Sequence, residues 1–157
     1  MKIKTSILAT LLPLALVAQA SELATFDEVR AKYQSYKDPT RVSYLYNRCA
    51  ALELNIAALM TRKGQAQGAK DFELLAQHYM VLSEANEREI DKKRGLKSKD
   101  VVQTVHRNVG VVSEVYSKRL KENFAKRGDY ILGDTQLEAE LKECNTPDVF
   151  KKRLLAD

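Results

Sequence analysis

The stretch TRVSYLYNRCAALELNIAALMTRK, Thr40 to Lys63, decides the fold. Its apolar side chains fall at Val42, Leu45, Cys49, Leu52, Ile56 and Leu59. Alternating steps of three and four place them in one stripe along a helix. The stripe is the surface on which the remaining helices are expected to pack, and it holds one of the chain's two cysteines.

Upstream, Met1 to Ala20 reads MKIKTSILATLLPLALVAQA. Lys2 and Lys4 precede an uncharged apolar run of about a dozen residues, and Ala18-Gln19-Ala20 has the small-x-small form of a cleavage site. The reading is a secretory signal peptide over 1–20, cut before Ser21, followed by a single domain over 21–157. A spanning helix needs about twenty apolar residues, so no membrane span is expected after cleavage. Removing 20 of 157 residues leaves 137, enough for one core. The leader carries two of the 26 Lys and Arg, so against 21 acids the mature balance is 24 − 21 = +3. So small an excess argues against a nucleic-acid partner.

Cys49 and Cys144 both lie in the exported part and match neither C-x-x-C nor C-x-x-C-H. In an oxidising compartment, periplasmic or secreted, such a pair is expected to form one disulfide.

Thr25-Phe26-Asp27-Glu28 reads as a capping box opening a short helix that carries Phe26, Val29, Tyr33 and Tyr36 and ends at Asp38-Pro39. Thr40 is the expected cap of the helix to Lys63, and Gly64 to Gly68 the turn after it. Lys70–Lys93 follows with Phe72, Leu75, Tyr79 and Leu82 inward. Ser98 caps a helix from Lys99 to Lys126. Its valines favour strands, but Val105, Val109, Val112, Tyr116 and Leu120 keep the helical spacing. Arg127-Gly128-Asp129 is the end of that helix rather than an adhesion signal. Thr135-Gln136-Leu137-Glu138 is a second capping box for a helix to Cys144, and Thr146-Pro147 opens a last short helix with Val149, Phe150 and Leu154.

Short turns between long helices define an all-α, up-down four-helix bundle with short flanking helices at both ends. Cys49 lies fifteen residues before Gly64, roughly 22 Å along the axis, and Cys144 ten after Asp134, roughly 15 Å. The two heights differ by about one turn, so the bridge is feasible between neighbouring helices.

His78 and His106, with Met60 or Met80, invite a metal or haem, but an antiparallel hairpin separates the histidines by roughly 14 Å, and no Glu-x-x-His pair occurs. No cofactor and no metal are therefore expected. Glu53, beside Cys49 and Ile56, is a half-buried carboxyl that would suit a general acid on cell-wall glycan. No second carboxylate is positioned with it, and no nucleophile or phosphate-loop motif is present, so a non-enzymatic role is expected.

Cations at helix ends complement the dipole. The run Lys92, Lys93, Arg94, Lys97 and Lys99 instead continues into the next helix start, where it opposes that dipole and can contact an anion. Tyr33, Tyr36, Tyr44 and Tyr46 surround Pro39, and tyrosine suits interfaces. The expected function is to bind another envelope protein through the tyrosine-rich turn, the basic turn or both, as inhibitor, immunity protein, chaperone or assembly factor. An anionic envelope polymer is a further candidate partner. The alternatives are a small-ligand or haem carrier using the bundle interior, and a glycan hydrolase through Glu53.

Overall fold

A computed structural model describes residues 23–32, 38–96 and 100–147. Among them run five helices and no strand: α1 (Phe26–Lys32), α2 (Pro39–Arg62), α3 (Ala66–Lys93), α4 (Val101–Arg127) and α5 (Thr135–Cys144). The leader at 1–20, Tyr33, Tyr36, Lys97, Ser98, Lys99 and the body of the last expected helix lie outside the described residues.

Cross-helix contacts fix the directions. Ser43, early in α2, meets Ser83 at 2.8 Å and Glu87 at 2.5 Å, late in α3, so these two run antiparallel. Asn55 of α2 reaches Ser113 at 2.8 Å, and the Lys63 ammonium at the end of α2 lies 5.6 Å from the Tyr130 ring centre just beyond α4. Hence α2 and α4 rise together, and α5 returns beside them with Glu140 against Tyr116. The all-α up-down bundle follows. The α2–α3 turn and the 128–134 loop share the upper end, while Pro39 and the Gly95 turn share the lower.

α2 is central and touches every other helix. Its expected stripe is the core: Leu45, Cys49 and Leu52 have no exposed surface, and Val42 and Ile56 are buried. They meet Val105, Val109, Tyr116 and Leu120 of α4, Leu137 of α5 and Tyr79 of α3. Burying one such side chain contributes about 1.5–3 kcal/mol. The valines of α4 stay helical because their buried members recur every three or four residues, and the helix runs unbroken through Gly110. Alanines at 50, 57, 69 and 76 are also buried, and their size lets α2 and α3 lie close.

The capping box at Thr25 is present, with Glu28 accepting from the Thr25 amide at 2.6 Å and Thr25 from the Glu28 amide at 3.1 Å. Three other caps differ from expectation. Asp38, not Thr40, caps α2 and accepts from the Thr40 amide at 2.9 Å, because Pro39 fits the first helical position. Asp134, not Thr135, caps α5, accepting from Leu137 N, while Glu138 reaches the Gly133 amide at 2.7 Å. Residue 100 rather than Ser98 holds the cap position of α4. α3 begins at Ala66, four residues before the expected Lys70, and absorbs Gly68. α4 ends at Gly128, whose φ of 72° admits the left-handed cap that lets its amide donate to Phe124 O at 2.8 Å.

Cys49 and Cys144 are joined, as expected, with Cα atoms 5.3 Å apart and a sequence separation of 95. Tyr79 donates to the Cys144 carbonyl at 2.6 Å, so α3 holds the same point. Chain entropy over such a loop is worth about 4–5 kcal/mol. Urea unfolding of Cys49→Ala/Cys144→Ala is expected to show a loss of that order; a variant as stable as the oxidised protein would contradict it.

Candidate functional site

Arg48 breaks the apolar pattern of α2 and has no exposed surface. A buried guanidinium needs partners, and three segments supply them. It donates to the Ala24 carbonyl, to the Tyr116 hydroxyl at 3.2 Å and to Glu140 at 2.5 Å. Tyr116 donates to the second Glu140 oxygen, and Gln136 donates both to Glu140 and to the Leu23 carbonyl at 2.9 Å. The guanidinium also sits 4.7 Å from the Phe26 ring centre and 5.8 Å from that of Tyr44. Burial, with Glu140 beside it, raises the Tyr116 hydroxyl pKa well above its ordinary value. Nearby, Arg119 grips Asp134 with bonds of 2.7 and 2.6 Å. Burial alone would raise the Asp134 carboxyl; the bonds from Arg119 and Asn123 outweigh it and hold it at about 2.

Tyr44 lies on a second stripe of α2, Thr40, Tyr44, Asn47, Ala51, Asn55, Ala58 and Arg62, again in steps of three and four. This stripe is polar or small. It turns toward α4, where Asn55 binds Ser113, and the seam gapes on either side of that contact. Below, a recess of about 360 Å³ is lined by Thr40, Tyr44, Asn47, Glu87, Asn108, Val111 and Val112. Above, a small one of about 60 Å³ lies among Asn55, Arg62, Lys121 and Tyr130.

Two larger recesses adjoin the lower one. One of about 670 Å³ runs from Tyr44 along Leu23, Thr25 and Lys32 to Gln136. The other, about 520 Å³, runs from Val111 along Lys118 and Arg119 to Asp134 and also touches Leu23. Each pair of recesses therefore shares one residue: Tyr44, Val111 or Leu23. Together they make one three-lobed groove, and Asn47 at its lower lobe has a buried Oδ1 with no hydrogen-bond partner among the described residues.

Of the residues marked from sequence, Tyr44 is half-buried in this groove, whereas Tyr46 is a correction. It was expected on the binding surface but is buried, 3% exposed, with its ring 5.9 Å from Tyr79. One residue of helix rotates a side chain by about 100°, enough to move it from groove to core. Lys92, Lys93 and Arg94 are exposed at the lower end, with Lys93 3.6 Å from Glu89. They share that end with Pro39, so the two surfaces marked from sequence are neighbours. Arg48 and Glu140 were missed; an arginine and an acid on otherwise apolar stripes were the available signal.

His78 and His106 are exposed on α3 and α4. No group of three His, Cys, Asp or Glu among the described residues is placed to hold a metal, and no described helix is long and apolar enough to cross a membrane. Glu53 is not half-buried as expected but fully enclosed, without a hydrogen-bond partner for either oxygen among the described residues. A general acid must touch its substrate, and an enclosed carboxyl does not meet a glycan. Comparison of the chain with family models, curated proteins and solved structures found no match.

Two outcomes follow from these carboxyls. Glu140→Ala strands the Arg48 charge and should cost about 3–5 kcal/mol, whereas Arg48→Met/Glu140→Leu removes both charges and should recover much of it. Equal losses in urea melts would refute the pairing. Burial pushes Glu53 from 4.5 to about 8, so the native state holds a proton that the unfolded chain releases. Native stability relative to Glu53→Gln should therefore fall by about 1 kcal/mol per pH unit as pH rises between those values. Parallel stability–pH curves would reject this.

Proposed function

We propose that the chain is an exported, non-enzymatic helical bundle that binds another macromolecule of the bacterial envelope, and that the Tyr44 groove is its binding surface. The observation that carries the reading is that two open recesses meet at Tyr44 and a third adjoins each of them, beside a buried amide oxygen without a hydrogen-bond partner among the described residues. A tyrosine ring with one face over Arg48 offers a rigid apolar surface with a polar tip, the kind of side chain enriched at binding interfaces. Lys92, Lys93 and Arg94 supply a cationic flank at the same end, suited to an acidic partner. Export is supported by the pattern of residues 1–20 and by the disulfide, which persists in oxidising compartments.

The carrier alternative has less support, since the stripe that would line an interior site is packed against itself and its neighbours. Thr40 is exposed and lines the groove, whereas Gln77 is exposed on α3 and lines none of the recesses described above. A photoreactive side chain placed at Thr40 should yield a discrete adduct in the intact envelope, and one at Gln77 should not. Charge reversal at Lys92, Lys93 and Arg94 should lower the Thr40 yield several-fold. Equal yields at both positions, or purified mature protein that does not begin at Ser21, would count against the reading.

A further inference from the structure

At the upper end, the last turn of α4 and the loop after it present apolar side chains that the core does not use. Phe124 in the last turn of α4 is 47% exposed, and Leu132 in the loop is 66% exposed. The loop is well held. Asp129 accepts from the amides of Ile131 and Leu132, both at 2.8 Å, and Asn123 donates to the Tyr130 carbonyl at 3.0 Å. Phe124 stacks on Tyr130 with ring centres 4.5 Å apart and planes 19° from parallel. Two large apolar side chains are thus kept in water by a defined loop.

Cations cluster at the Tyr130 ring and the end of α4. The Lys63 ammonium lies over the Tyr130 ring, Arg62 and Lys121 line the small recess against the same ring, and Lys126 and Arg127 close α4 beside the loop. Of the nearby acids, Asp129 accepts from two amides, Asp134 is held by Arg119 and lies 4.0 Å from Arg127, Glu138 accepts from the Gly133 amide, and Glu122 lies 3.8 Å from Lys118. Helix dipoles account for cations at the ends of α2 and α4, but not for Lys121, nor for Phe124 and Leu132 in water.

We propose that this end docks on the surface of an anionic lipid bilayer, with Phe124 and Leu132 entering the headgroup boundary and Arg62, Lys63, Lys121 and Lys126 contacting lipid phosphates. Exposed aromatic and aliphatic side chains beside a cluster of cations match that interface, which is apolar below and negative above. A soluble phosphate polymer would engage the cations but leave the two apolar side chains without a role.

The test uses the mature, oxidised chain with vesicles of equimolar phosphatidylglycerol and phosphatidylcholine, and with phosphatidylcholine alone. Cosedimentation with the first and not the second is expected. Removing one of these cations, as in Lys63→Ala, should weaken partition about fivefold. Phe124→Ser/Leu132→Ser should weaken it about tenfold, with helicity unchanged by circular dichroism because both residues are exposed. The chain has no tryptophan, so Leu132→Trp adds a single reporter, and its emission should shift to the blue on the anionic vesicles. An unshifted emission would overturn the proposal. So would vesicle binding undiminished in the double serine variant and matched by binding to soluble polyphosphate.

Discussion

A guanidinium that water cannot reach must find its hydrogen bonds inside the protein, and Arg48 finds them on three segments. One arm takes the backbone just ahead of α1, another the phenol of α4, a third the carboxylate of α5. None of these segments can shift without exposing an unpaired charge to an apolar surrounding, a penalty larger than any single packing contact in the bundle. Apolar burial makes α2 the centre of mass of the core. The Arg48 cluster determines which residues of α4, α5 and the N-terminal segment face it, and so specifies the register of the bundle. It also sets the position of the groove, since Tyr44 rests on the guanidinium.

The two stripes of α2 divide the labour of the helix. One is apolar and closes on α3, α4 and α5, with a disulfide at its middle. The other is made of Thr, Tyr, Asn and Ala, and meets α4 through one amide–serine contact with recesses on both sides. A seam of hydrogen-bonding residues gains little by closing, because each group is satisfied nearly as well by water. The seam therefore stays open at the surface while the opposite face is sealed. Tyr44 lies near the lower end of the seam and the Phe124 loop at its upper end, and the lobe of the groove that runs to Asp134 reaches the same upper end.

Much of the fold was legible because it follows from local spacing. The periods of α2 and α5, the capping box at Thr25 and the pairing of the cysteines are all written within a few turns of sequence. Misreadings came where neighbouring residues compete for one role. Asp38 and Asp134 took caps assigned to the threonines beside them. Gln65 to Gly68 read as a turn, yet Gly68 is helical. Its missing side chain leaves room for Met60, whose Cε would lie 2.3 Å from a Cβ there, which offsets part of the usual cost of a glycine in a helix. Tyr44 stood out because it fell off the apolar stripe, and Tyr46 misled because it stood beside it. The Arg48–Glu140 pair spans 92 residues, and no local pattern encodes a partner at that distance.

The bridge between Cys49 and Cys144 turns most of the bundle into a covalent ring. Two interhelical turns, at Gly64 and at Gly95, lie inside it together with the 128–134 loop, and exposed turns are where proteases cut first. A nick at any of them opens the ring but releases no fragment, since both new chain ends remain tethered through the sulfurs. The helices on each side of the cut stay at high effective concentration and can repack on α2. A broken backbone would then be survivable in a way that a broken disulfide would not.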